Sequence, residues 1–385
     1  MDSLTRRIPI GAPCFNGNEK QYLMECIDSA KISATGRFVD EFERQFAQYC
    51  EASHAFTCSS GTAALHLALM AHDVKPGDEI IVPSLTYIAA ANAVTYCGAK
   101  PVFIDSEKDT WNLDPALIER AITPRTKAII PVHLYGHPCE MDPILEIAGR
   151  HNLMVIEDAG EAYGAMYRGK RVGSFGQTST FSFYGNSIIT SGEGGVVVTN
   201  DDDIAARVRL FRGQGVDKER KYWFDTISYN YRMSNLQAAV ALAQLEKIDW
   251  HVEQRRRVAA LYNKHLAALG DELMTQVEKP WVKHAYWMYS ILLRKRSGEK
   301  RDLLMHQLAE NGIETRPIFY PLHTLPPYET LHKATVTANN GLASDMHLPF
   351  TSFIAARGIN LPTHATLSEK DIEFIVLKLK EHLRA

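Results

Sequence analysis

The strongest constraint on the fold is an alternation that runs from Ser60 to about Asp158. An apolar stretch of helical period, Ala63 to Met70, is followed by four short β-branched runs, EIIVPS, PVFID, AIIPVHL and LMVIED, with helical patterns between them. Strands alternating with helices make parallel βαβ units, so the expected fold class is α/β with a mostly parallel, doubly wound sheet. Each run ends on a polar residue or turn: Ser84, Asp105, His133 and Asp158. Ligands of open α/β sheets gather outside the carboxyl ends of the strands, which makes these four positions the place to look for a site.

After Asn200 the pattern turns helical. DDDIAARVRLF reads as a capped helix start, and SNLQAAVALAQLEKI with the basic stretch to His265 reads as one or two long helices. From about Leu266 a strand-like HAYWMYSILL, a helical RDLLMHQLAENG, the proline-rich PIFYPLHTLPPYE and a final helix describe a smaller α+β domain. At 385 residues the chain is long for one core, so two packed lobes are expected. A formal charge of −3 offers no basic surface for nucleic acid, and no apolar run is long enough to span a bilayer. The N-terminus lacks the apolar core of a signal peptide, so cytoplasmic residence is the expectation. The six cysteines show no CxxC or metal-ligand spacing and are expected to be reduced thiols.

Three segments carry chemistry. In CSSGTAALHLAL, Ser60, Gly61 and Thr62 stand at the mouth of a helix, where free N–H groups favour a phosphate, although the same residues would cap a helix without any ligand. LMVIEDAGEAYGA presents Asp158 at a strand tip with Glu161 just beyond, and such an Asp either caps the next helix or pairs with a protonated pyridine nitrogen. TFSFYGNSIITSGEGGVVVTN is a strand, a polar turn bearing Ser182 and Asn186, and a glycine-rich return. In chain order these offer a phosphate cradle, a ring carboxylate and a reactive-carbon loop.

These segments, together with PSLTYIAAANAVTYCGAKPVFID, PVHLYGHPCEMDPI, YNYRMSNLQAA and ETRPIFYPLHTLPPYE, resemble the successive signatures of the sugar aminotransferases of the DegT/DnrJ/EryC family. The resemblance runs from about Ile8 to the last helix. It implies a fold-type I transferase using pyridoxal 5′-phosphate and pyridoxamine 5′-phosphate. Residues 1–250 would form the large cofactor-binding domain, its N-terminal segment packing on a small domain of residues 251–385. Gly61, Thr62 and Ser182 would hold the cofactor phosphate, Tyr87 would stack on the ring, Asp158 would pair with the ring nitrogen, and Glu161 would sit near the ring hydroxyl or imine. Asn230 would reach the phosphate of a neighbouring subunit, so that a homodimer shares its active sites. His284, Trp287, Arg316, Tyr320 and His323 are candidates for a nucleotide-sugar pocket, as is the loop from Gly213 to Tyr222 with Arg212 and Lys218. The implied acceptor is GDP-4-keto-6-deoxy-D-mannose and the donor L-glutamate, giving GDP-perosamine and 2-oxoglutarate.

One position departs from the pattern. The family loop reads Gly-Asn-Lys, its lysine forming the Schiff base, whereas here it reads Gly185, Asn186, Ser187, with no lysine between Lys170 and Lys218. A serine hydroxyl neither forms an imine nor replaces the amine as a base, so cofactor binding with near-absent turnover is expected. Two origins stand open: a Lys-to-Ser replacement made to trap an intermediate, which the intactness of the other motifs favours, and a natural substitution. One family branch, a GDP-sugar 3-dehydratase, carries histidine there. Alternative readings are therefore a dehydratase using pyridoxamine phosphate, or a non-catalytic nucleotide-sugar or cofactor-binding homologue.

Overall fold

The computed structural model describes residues 7–216, 219–220, 222–338 and 348–384. The chain lays down β1 (His54–Cys58), β2 (Glu79–Pro83), β3 (Lys100–Ile104), β4 (Thr126–Ile129) and β5 (Met154–Asp158). The short β6 (Met166–Tyr167) and β7 (Lys170–Arg171) come next, then β8 (Thr178–Ser182) and β9 (Gly195–Thr199). Seven of these form one sheet in the order β1-β9-β8-β5-β4-β2-β3. From β8 through β5, β4 and β2 to β3 every pair is parallel, while β9 runs antiparallel to both β8 and β1. EIIVP and GVVVT are buried along their whole length, as strands covered on both faces must be.

The helices in chain order are α1 (Glu19–Asp28), α2 (Arg37–Tyr49), α3 (Gly61–Ala71), α4 (Ala89–Tyr96), α5 (Ile118–Ala121), α6 (Met141–His151), α7 (Asp202–Arg212), α8 (Asn235–Leu245) and α9 (Ile248–Leu266). α3 is apolar on almost every face and accordingly lies inside the fold, against the sheet and beneath α4 and α7. α8 starts at a capping box in which Ser234 and Gln237 satisfy each other's backbone N–H. α2 carries Phe38, Val39, Phe42 and Phe46 on one face and buries them against Phe181 and Phe183.

The expected long strand AIIPVHL is shorter in the structure. Pro131 has no N–H for a ladder, so β4 stops at Ile129 and the segment continues only through a single bridge between Val132 and Asp158. The helical stretch after Ser234 is two helices, α8 and α9, parted by Glu246 and Lys247.

The second lobe contains β10 (Leu273–Thr275), β11 (Val282–Lys283), β12 (Tyr289–Leu293), β13 (Arg316–Pro317) and β14 (Gly358–Leu361), with α10 (Glu299–Glu310), α11 (Pro326–Ala338), α12 (Pro349–Arg357) and α13 (Glu369–Arg384). Its antiparallel sheet runs β10-β12-β14-β13, and β11 pairs back onto β6 of the first lobe. α9 spans both cores: Ile248 and Val252 pack with α2 and α8, and Val258, Tyr262 and Leu266 pack with β12, α10 and α13. A division at 250/251 thus falls in the first turn of a continuous helix. Ile8 lies beside Ile313 in the second lobe's core, with two backbone hydrogen bonds to Gly312 and Glu314. All six cysteines are free thiols. No described helix is long and apolar enough to cross a membrane.

Candidate active site

The carboxyl ends of β5 and β8, the N-terminus of α3 and the turn after β2 surround one cavity of about 470 Å³, a size suited to a small organic ligand. Its lining includes Gly61, Thr62, Tyr87, Asp158, Glu161, Ser182, Ser187, Trp287 and Arg316, brought together from seven separate stretches of sequence.

The α3 end is prepared for an anion. Ser60 Oγ accepts the N–H of Ala63 (3.1 Å) and its carbonyl accepts that of Ala64 (3.0 Å). No acceptor among the described residues takes the N–H of Gly61 or Thr62, so both donors are left at the positive end of the helix dipole. Gly61 is required there by close approach, since a Cβ on it would stand 2.6 Å from Ser182 Cβ. The same close packing brings the Ser182 side chain up to the helix mouth.

The opposite wall carries two carboxyls. Asp158 Oδ1 accepts one hydrogen bond, from Gly160 N–H (3.1 Å). Burial pushes its carboxyl up to about 6, opposed by that N–H and by nearby His133. Glu161 is raised well above the ordinary carboxylate range, first by burial and then by the charge of Asp158, although Tyr135 N–H donates to its Oε2 (2.6 Å). At neutral pH this wall therefore presents the negative charge of Asp158 beside Glu161, whose carboxyl burial shifts toward its neutral form. No cation among the cavity residues compensates Asp158 internally, because Arg316 at the rim lies 3.5 Å from Glu314 and is half exposed.

Ser187 follows β8 in the loop that crosses the floor of the cavity and is 7% exposed. The loop is held through its backbone: Ser187 N–H donates to Tyr184 O (2.9 Å), Trp287 Nε1 to Asn186 O (2.8 Å), and Arg255 to Ser187 O (3.4 Å). Tyr87 is largely exposed at the mouth, its ring centroid 5.9 Å from that of Phe319.

Several expected site residues are placed elsewhere. His284 is fully buried, its Nε2 against Gln276 Oε1 (3.0 Å) and its ring stacked on Tyr286, so it lies behind the wall. His323 Nδ1 is held by Ser84 Oγ (2.7 Å), and Tyr320 is exposed outside the lining. Arg212 is tied to Glu43 and Thr57 rather than offered to a ligand, and Lys218 lies outside the described residues. Asn230 is exposed and absent from this chain's own cavity. Three of the four strand-end residues serve the fold: Ser84 anchors His323, Asp105 caps α12 through Phe350 and Thr351 N–H, and His133 pairs with buried Glu157.

Residues not foreseen include Thr86, Gly160, Glu193 and Phe319 in the lining. Tyr135 is the least visible from sequence. It is non-glycine at φ 55°, and that conformation lets its N–H reach Glu161 while its ring stacks on Trp287 and Phe319.

Comparison with known proteins bears on this arrangement. The profile of the DegT/DnrJ/EryC1/StrS aminotransferase family matches residues 13–380. A GDP-perosamine synthase of Caulobacter vibrioides is 53% identical over 381 residues, covering 98% of each chain. S. venezuelae DesV, solved in complex with a ketimine intermediate, shows a TM-score of 0.86 at 36% identity, over 96% of this chain and 95% of its own. Spr1654 of Streptococcus pneumoniae, solved in its PMP form, shows a TM-score of 0.90 at 27% identity over 98% of each chain. With a mainly parallel sheet, a strand-end carboxylate and the N-terminus of α3 facing one cavity, the chain has the fold-type I α/β architecture and belongs to the DegT/DnrJ/EryC1/StrS aminotransferase family.

Proposed function

We propose that the cavity holds pyridoxal 5′-phosphate or its aminated form. In this reading the site is built to move an amino group from L-glutamate to C4 of GDP-4-keto-6-deoxy-D-mannose, and Ser187 stops the covalent part of that reaction. The observation that carries the reading is the buried, uncompensated Asp158 facing the cavity opposite the free N–H groups of α3. An electron-poor ring with a phosphate at one end and a protonated nitrogen at the other matches both features, and supplies the sink for electrons released at the substrate carbon. Gly61, Thr62 and Ser182 bind the phosphate, Asp158 keeps the ring nitrogen protonated, and Tyr87 covers a ring face. Glu161, whose carboxyl burial shifts toward its neutral form, would lie near the ring's oxygen substituent. Trp287 and Arg316 at the rim are suited to the sugar and diphosphate of the nucleotide. The relatives named as GDP-perosamine synthases, 53% identical in one case and 46% in another, support the choice of sugar.

The experiment is calorimetric titration of the pyridoxamine-phosphate-loaded chain with 4-keto-6-deoxy sugars linked to GDP, UDP and dTDP. The GDP sugar should bind at least about tenfold more tightly, a difference of about 1.4 kcal/mol. Equal affinity for the three contradicts the GDP assignment, and a 3-deoxy product contradicts aminotransfer.

A homodimer is part of the same reading. The segment between Gly213 and Asn230 exposes Tyr222 by 79% and Ile227 by 90%, with Trp223 and Phe224 more than half exposed, a cluster better suited to a protein partner than to water. Tyr229 and Tyr231 turn inward onto His66, which leaves Asn230 between them pointing outward. The double variant Trp223→Asp, Ile227→Asp should sediment as a monomer and lose most of its cofactor affinity. A persistent dimer would refute this interface.

A further inference from the structure

Arg255, in the middle of α9, is 4% exposed. Its guanidinium donates to the carbonyls of Trp287 (2.8 Å), Thr363 (2.7 Å) and Ser187 (3.4 Å), three segments that are remote in sequence. Among the described residues no carboxylate forms an ion pair with it within 4.0 Å. A cation taken out of water without a counter-ion is costly, and three carbonyl dipoles offset only part of that cost.

The charged and titratable groups around it sharpen the picture. His251, one turn earlier on α9, and His364, beyond β14, are buried with their Nε2 atoms unpartnered. Burial and then the positive charge of Arg255 bring each imidazole down to about 4, so both are neutral at working pH. Glu19 bears on His251, but its carboxylate is held by Gln244 (2.6 Å) and Gly17 N–H (2.9 Å). Asp371 bears on His364 from α13. On the cavity side the carboxyls are Asp158, which in the proposed reading is committed to the ring nitrogen, Glu161 and Glu193. Burial also draws the guanidinium itself down, to about 10, which leaves it charged at neutral pH.

We propose that Arg255 is a positioning residue for position 187: it clasps that residue's backbone to the second lobe and sets an uncompensated positive charge beside it, so that an amine there is kept uncharged and nucleophilic. A neighbouring cation is one of the established ways to activate a buried lysine. The proposal rests on the reading that position 187 carries the cofactor-linking nitrogen in this family. In the present chain the device acts on a serine and therefore has no amine to tune.

The test uses full-length Ser187→Lys protein loaded with pyridoxal phosphate and follows the pH midpoint of the bound cofactor's visible absorbance. Arg255→Gln should raise that midpoint by about one unit or more, because the protonated nitrogen is no longer repelled. Arg255→Lys, which retains the charge, should leave it within about half a unit of the parent. His364→Asp places an anion facing Arg255 without removing the clasp, and should raise the midpoint in the same direction even if the glutamine variant fails to fold. A midpoint unmoved in both Arg255→Gln and His364→Asp, with only the melting temperature lowered, overturns the proposal and leaves Arg255 a structural brace. A Ser187→Lys chain that retains no pyridoxal phosphate overturns the underlying reading, and this proposal with it.

Discussion

On the proposed reading, Ser187→Lys is expected to raise glutamate-dependent aminotransfer well above that of the serine chain. Ser187 lies on a floor loop whose backbone is fixed by Tyr184, Trp287 and Arg255, so the side chain at this position is aimed by contacts that do not depend on its identity. The cavity above it, about 470 Å³, has room for a longer side chain. A serine hydroxyl is a weak nucleophile and a poor base at neutral pH, and restoring a well-placed general base is worth about 10² to 10⁴ in rate. Recovery of covalent activation adds to that. With glutamate and the GDP-linked keto sugar, 2-oxoglutarate release should rise by at least a hundredfold, with one amino group appearing on the sugar by mass spectrometry. A change smaller than about tenfold would mean that position 187 does not limit aminotransfer in this chain.

The second large effect concerns Asp158, and its two parts have opposite signs. A carboxyl whose folded-state value is raised to about 6 binds its proton more tightly in the folded protein than in the unfolded chain. Between roughly pH 4 and pH 6 the cofactor-free protein therefore loses stability as pH rises, by up to about 2–3 kcal/mol. Above pH 6 the full cost of burying the charge remains. Asp158→Asn keeps an acceptor for Gly160 N–H and removes the charge, so the cofactor-free variant should melt higher than the parent at pH 8 and equally at pH 4. Its affinity for pyridoxamine phosphate should fall by about 10² or more, the usual consequence of taking one partner from a buried ion pair. Melting curves at the two pH values and a binding titration check both parts. A variant that is less stable at pH 8 and binds equally well would show that Asp158 is only a cap.

Much of this was readable in advance, for identifiable reasons. The mostly parallel sheet followed from β-branched runs of strand length separated by helical patterns, and the capped start of α3 from Ser-Gly-Thr ahead of an apolar helix. Asp158, which lines the cavity, stood out from the other strand-end residues only because a candidate phosphate segment and a polar loop flank it in chain order. Ser84, Asp105 and His133 have the same local signature and are consumed by His323, α12 and Glu157. Those partners lie between 24 and 246 residues away in sequence, and no local pattern encodes them. His284 was misplaced for the same reason: a histidine beside aromatic residues looks like a ligand contact until Gln276 and Tyr286 are seen to enclose it. Tyr135 gave no signal, since left-handed backbone at a non-glycine residue is imposed by tertiary packing. By contrast α1 and α2 were overlooked although α2 repeats Phe38, Phe42 and Phe46 at helical spacing, a signal present in the chain itself.

The most direct measurement of the central claim is peptide mapping of Ser187→Lys protein after incubation with pyridoxal phosphate and borohydride reduction. The account requires a single pyridoxyl group at position 187, and its disappearance when Asp158 is also changed to alanine. Label on another lysine, or no label at all, would contradict the assignment of this cavity as the cofactor site.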